Sequence, residues 1–313
     1  MQPLIWDRRP AGLRAPVMVC AFEGWNDAGD AASTAATYMC AALEAERFAH
    51  VDSEEFYDFQ ANRPRIALSQ GDGEREIEWP TVEMYEALLP GAPCDMVLVR
   101  GVEPSLRWRS FGALIVELAE ALGVELVITL GALLADVPHT QPVAMSGFAS
   151  DPDLMERMGA DRSSDYEGPT GIVGVLHSTS VTAGLPSMSL WASIPHYVAA
   201  APSPKAALAL VRRLEDIVGI SIDTGELEEA TIHYERRVRL AVSGNPDVQA
   251  FVERLERESE GKGEEDEEDE EGDELEEADE PPLSLEDLPS GDLLANEFQQ
   301  FLSQRSDEEQ PPA

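Results

Sequence analysis

The stretch Val17–Ala32, VMVCAFEGWNDAGDAA, constrains the fold more than any other. Val17 to Phe22 is a short apolar run of the kind that forms a strand buried on both faces. Glu23-Gly24-Trp25-Asn26-Asp27 interrupts it, and the alanine-rich stretch from Ala28 to Leu43 has the composition of a helix. Strand, tight polar turn and helix make the first half of a crossover unit, which commits the domain to a largely parallel sheet. Ligands of such sheets meet the turns beyond the carboxyl ends of the strands. Gly24 can supply a positive φ, and Asn26 or Asp27 can cap the helix. Trp25, a large aromatic on a turn, is expected to pack over a neighbouring edge.

The same reading extends along the chain. Arg47–Asp52 and Phe56–Gln60 read as short extended segments. Arg65–Gln70 and Glu74–Trp79 flank Gly71-Asp72-Gly73 as a hairpin expected at an edge of the sheet. Asp95–Gly101 returns to the buried-strand pattern, Trp108–Leu122 is an amphipathic helix, and Glu125–Leu130 completes a second crossover unit. Ala144–Ser150 reads as a strand, Asp151–Met158 as a helix opened by Asp-Pro, and Ser187–Ile194 as the last strand. For Ile172–Val181, helix and strand are equally supported. Three helices follow: Pro204–Val218, Asp223–Val242 and Asp247–Glu258.

Charge divides the chain. The formal net charge is −39, and 23 acids against 2 bases lie from Glu258 onward, leaving −18 on residues 1–257. A chain of this sign repels phosphate backbones, so neither nucleic acid nor an anionic membrane is an expected partner. Glu258–Glu280 is too acidic to bury anything and is expected to be disordered. Beyond it, Leu294, Phe298, Phe301 and Leu302 share a helical face, which can fold back on the domain or grip another chain. The expected organisation is an α/β core over 1–202, packed helices over 203–257, an acidic linker over 258–282 and an amphipathic helix over 283–304. Cys20, Cys40 and Cys94 are odd in number and form no close pair, arguing against a disulfide framework and for a reducing, cytoplasmic setting. No secretory pattern opens the chain, and the uncharged run Gly168–Pro204 contains Pro169, Pro186, Pro195 and Pro202 among many Ser and Thr, so it reads as protein interior rather than a lipid span.

Several polar residues fall in turns after strands: Asn26 and Asp27, Arg100 and Glu103, Asp136 and His139, and His196, with Glu167 and Thr170 ahead of the next helix. Together with Trp25 they define a candidate crevice in which carboxylates and a histidine would serve as acid and base. No nucleophile elbow, phosphate loop or metal pair at helical spacing is present, and no cofactor is expected. As turn chemistry, Asp27 is a helix cap, Glu103 before Pro104 closes a turn, and His139 and His196 bond backbone in proline turns.

FEGWNDAGDAA at Phe22–Ala32, VPHTQPV at Val137–Val143, EGPTGIVGVL at Glu167–Leu176 and SLWASIPHYV at Ser189–Val198 occur in that order. With these four motifs the chain resembles the proteasome assembly chaperone 2 family, and more narrowly its actinobacterial branch, over roughly residues 4–255. The bias of 20 Arg to 2 Lys agrees. The resemblance implies a three-layer α/β/α sandwich of the phosphorylase/hydrolase-like type with a helical C-terminal part. It also implies homo-oligomers, with a trimer favoured, and, from archaeal and eukaryotic relatives, proteasome subunits as partners. Some archaeal relatives dock on proteasome rings through a terminal hydrophobic-Tyr-any sequence. Gln310-Pro311-Pro312-Ala313 does not match it, so contact would use another surface. A non-catalytic assembly factor is therefore the leading expectation. The alternative is an enzyme or a binder of a nucleoside-like or carboxylate ligand using the crevice.

Overall fold

The computed structural model describes residues 3–68, 75–159, 162–163, 166–198 and 202–268. Its organising strand, β2 (Val17–Glu23), follows a short β1 (Leu4–Trp6) and feeds, through a 3-10 turn at Ala28–Asp30, the helix α1 (Ala31–Ala42). β2 alternates between two cores. Val17, Val19 and Ala21 join one apolar cluster, while Met18, Cys20 and Phe22 join another. A strand buried on both faces in this way lies in the middle layer of three.

The first half continues with β3 (Glu46–Val51), α2 (Ser53–Phe56), β4 (Arg65–Leu68), β5 (Arg75–Glu78), β6 (Val82–Ala87), β7 (Met96–Val102) and α3 (Trp108–Leu122). The second half contains β8 (Leu126–Ala135), β9 (Met145–Ala149), α4 (Pro152–Met158), β10 (Arg162–Ser163), α5 (Ile172–Thr182) and β11 (Ser187–Pro195). After a 3-10 turn at His196–Val198 come α6 (Pro204–Val218), α7 (Gly225–Ser243) and α8 (Pro246–Glu268).

Nine strands pair in the order β1-β3-β6-β7-β2-β8-β11-β9-β10. The four central strands β7, β2, β8 and β11 are parallel, as the crossover units require, but β6 and β9 join them antiparallel. The sheet is therefore mixed. α1, α4 and α6 cover one face with small and aliphatic side chains such as Ala32, Ala35, Met158, Leu210 and Leu214. α3 and α5 cover the other with Phe111, Ile115, Ile172 and Leu176. This is the three-layer α/β/α sandwich that the family resemblance implied. α7 and α8 pair as a helical hairpin whose small core, including Tyr234, Val238, Val248 and Val252, closes on Tyr197 and Val198.

Four local expectations need correction. β6 was not expected; Glu83 and Glu86 disguise an antiparallel strand that pairs with both β3 and β7. Phe56–Gln60 is not extended: Asp52 caps the single turn α2 by accepting the Glu54 N–H at 3.2 Å. The β4–β5 hairpin forms its own two-stranded sheet and does not border the main one, where β1 and β3 occupy that side. Its Gly71-Asp72-Gly73 turn lies outside the described residues. Finally, α8 runs to Glu268, past Glu258 where disorder was expected; glutamate is a good helix former, and Arg254 meets Glu258 across one turn at 3.5 Å. α5 resolves the ambiguous segment as a helix. The amphipathic segment 283–304 lies outside the described residues.

Candidate functional site

β2 ends in Glu23, and Gly24 turns the chain with φ +140°. That turn lowers Asn26 and Asp27 into the protein, where they are 1% and 6% exposed. The Asn26 carbonyl accepts the Ala132 N–H at 2.8 Å, stitching the turn to β8. Its Nδ2 donates to Glu103 Oε1 at 2.9 Å. The same oxygen accepts the N–H of Ile172, the first residue of α5, at 2.8 Å, and Oε2 takes the Trp25 N–H at 3.4 Å. One carboxylate thus ties the β2–α1 turn, the β7–α3 turn and the start of α5, and its charge suits the positive end of that helix. Gly171 is required beside it, because a Cβ there would collide with the Asn26 amide.

Asp27 Oδ1 accepts the N–H groups of Ala32 and Ser33 at 2.7 and 3.2 Å, so it caps α1, as its position implied. Burial pushes its carboxyl above the ordinary value, and the hydrogen bonds from Ser33 and Ala32 only partly offset this. Asp27 Oδ2 and Asn26 Oδ1 are buried without a hydrogen-bond partner among the described residues.

A second group lies beyond the ends of β8 and β11. The His139 N–H donates to the Tyr197 hydroxyl at 2.7 Å, and its Nδ1 meets that hydroxyl at 2.9 Å. Lys205 Nζ donates to the carbonyls of His139 and Gln141, each at 2.8 Å, and pairs with Glu235 at 2.9 Å. Burial, aided by the Lys205 charge, lowers the His139 pKa and favours its neutral ring. Burial raises that of Tyr197. His196 pairs with Asp136 at 3.3 Å closer to solvent. The cleft lined by Val137–His139, Gln141, Ser203, Lys205 and Tyr234 encloses about 20 Å³. That is room for one water, far below the roughly 300 Å³ at which ligand pockets begin.

The structure therefore gathers Asn26, Asp27 and Glu103 at one place and His139 and His196 at another. β8 pairs with β11 for three residues past Ala132, out to Ala135 and Pro195, which carries the histidine turns roughly 10 Å further along the sheet. Trp25 stands beside the first group at 64% exposure, and Glu167 and Thr170 are exposed on the loop leading to Gly171. Sequence reasoning missed Tyr197, Lys205 and Glu235. Lys205 carried a usable signal, being one of two lysines in an arginine-rich chain. Among the described residues no group of three His, Cys, Asp or Glu side chains is placed to hold a metal ion.

A mixed sheet between two helical layers, with a helical hairpin behind and side-chain ties at the strand ends, defines the class of protein. The chain belongs to the PAC2 family, whose model matches residues 21–242, a span containing all four motifs. It is similar to a PAC2 family protein from Streptomyces avermitilis, at 50% identity and a TM-score of 0.71 over 76% of this chain and 99% of that one. It is 41% identical to a proteasome-assembly chaperone homologue from Mycobacterium tuberculosis, with a TM-score of 0.69 over 75% and 99% of the two chains. An archaeal proteasome activator from Pyrococcus furiosus shares the fold at 19% identity and a TM-score of 0.62, over 75% and 96%. No curated protein matches the chain.

Proposed function

We propose that the protein is a cytoplasmic, non-catalytic assembly factor that works on proteasome core subunits as a homo-oligomeric scaffold, a trimer in its simplest form. One observation carries this reading. At the ends of β2 and β7 the buried polar side chains hold the fold, while large apolar side chains beside them are left to solvent. Glu103, Asn26 and Asp27 are committed to backbone and to one another. Beside them Trp25, Leu133 and Leu134 are 64%, 37% and 43% exposed. Trp25 precedes Asn26, whose carbonyl pairs with Ala132, so the tryptophan and the two leucines flank one contact. Exposed apolar side chains around a rigid end fit a protein surface better than a metabolite. The likeness to a proteasome-assembly chaperone homologue supports the choice of partner.

The test is co-expression of the full chain with proteasome α and β subunits, followed by native electrophoresis and mass spectrometry. The chain is expected on incompletely assembled core particles, and Trp25→Ala with Leu134→Ser should release it without lowering the melting temperature. No association and an unchanged assembly rate would overturn the partner. A monomer mass by light scattering would overturn the scaffold.

A further inference from the structure

We infer that the outward face of α7 is a docking site for the chain's own C-terminal segment, residues 283–304, bound in cis. α7 buries Leu227, Tyr234, Val238, Ala241 and Val242 against its neighbours. Its opposite side carries Ile232 and Leu240, both more than half exposed, at a two-turn spacing. Arg236 lies between them, with Arg239 and Arg237 exposed at the two margins of that face. In a chain of 61 acids and 22 bases, these arginines make no ion pair among the described residues. Their neighbours on α6, α7 and α8 pair elsewhere: Arg212 with Glu228, Lys205 with Glu235, and Arg254 with Glu258. From Ile232 to Leu240 the stripe is thus apolar and basic; Glu229, one turn earlier on the same face, lies 4.0 Å from His233.

The segment offers the complement. Residues 283–304 contain four acids, Glu286, Asp287, Asp292 and Glu297, and no base. Leu294, Phe298, Phe301 and Leu302 recur at helical spacing, with Glu297 at the margin of their stripe. Apolar residues would meet Ile232 and Leu240, and the acids would face the three arginines. The chain is long enough. From the end of α8 at Glu268 to Leu283 it spans up to about 50 Å extended, against about 28 Å for the whole of α7. The intervening acidic run cannot bury itself and serves as a tether. Tethering makes the encounter intramolecular, so a modest contact suffices.

Hydrogen exchange read by mass spectrometry on the full-length protein tests the inference. In the wild type, amides of 290–302 should exchange at least about tenfold more slowly than an unstructured peptide. Arg236→Glu with Arg239→Glu should restore unstructured rates there while β2 and β8 keep their protection, showing that the fold is intact. Adding Asp292→Arg and Glu297→Arg to that variant should recover protection. Free exchange of 290–302 in the wild type would overturn the proposal, as would protection indifferent to the α7 charges. Protection lost on dilution would assign the contact to a second copy and equally refute docking in cis.

Discussion

Glu103 gathers N–H groups from Asn26, Trp25 and Ile172, and its removal leaves the Ile172 amide without its acceptor. Glu103→Ala should therefore cost about 2 kcal/mol in a urea melt, and Glu103→Gln, which keeps one acceptor, clearly less. Equal losses would show that the side chain packs rather than ties. Asp27 has a pH signature. Its folded pKa is raised by burial, so its contribution is complete below the unfolded carboxylate value of about 4 and fades as pH rises through the folded value. The melting temperature of Asp27→Asn relative to wild type should climb between pH 4 and pH 7; a flat difference would remove Asp27 from the balance. The cap was legible in the sequence because Asp27 lies only a few residues before the N–H groups it accepts. The Glu103 tie was not, because its partners are 77 and 69 positions away and no local spacing encodes such a meeting.

The central elements were legible where one signal dominated. Trp108–Leu122 carries a single apolar stripe and forms α3 with those bounds. β6 escaped because Glu83 and Glu86 break its apolar pattern, yet Glu86 is buried beside Arg8 in the fold. α5 was ambiguous because Ile172, Val173 and Val175 favour strands. It is helical because Glu103 receives its first N–H and because Ile172, Val173 and Leu176 share the buried face. The 3-10 turn at His196–Val198 joins the sheet to the helical hairpin through Tyr197, whose ring meets Phe251 edge-on at 5.9 Å. Tyr197→Phe keeps that contact but leaves the His139 N–H unpaired. A loss of about 1 kcal/mol is expected, with faster amide exchange confined to 137–143. Unchanged exchange there would mean that Lys205 alone holds the loop.

Over the whole molecule the charge of −39 sets the response to salt. Self-repulsion is screened within about 8 Å at physiological ionic strength, so the melting temperature should rise as salt is increased from near zero, and the rise should be smaller in a chain ending at Glu268, which loses a net 15 negative charges. A fall with salt would give the surface ion pairs the larger role. Among the described residues no helix is long and apolar enough to cross a membrane. The borders of the sheet carry a separate consequence. It closes at one side with the three residues of β1 and at the other with the two of β10, and β1 covers the longer β3. Such short outer strands give a foreign backbone little to extend. An assembly factor of the kind proposed would thereby be shielded from the indiscriminate stacking to which open sheets are prone, with recognition left to side chains, which can tell one partner from another.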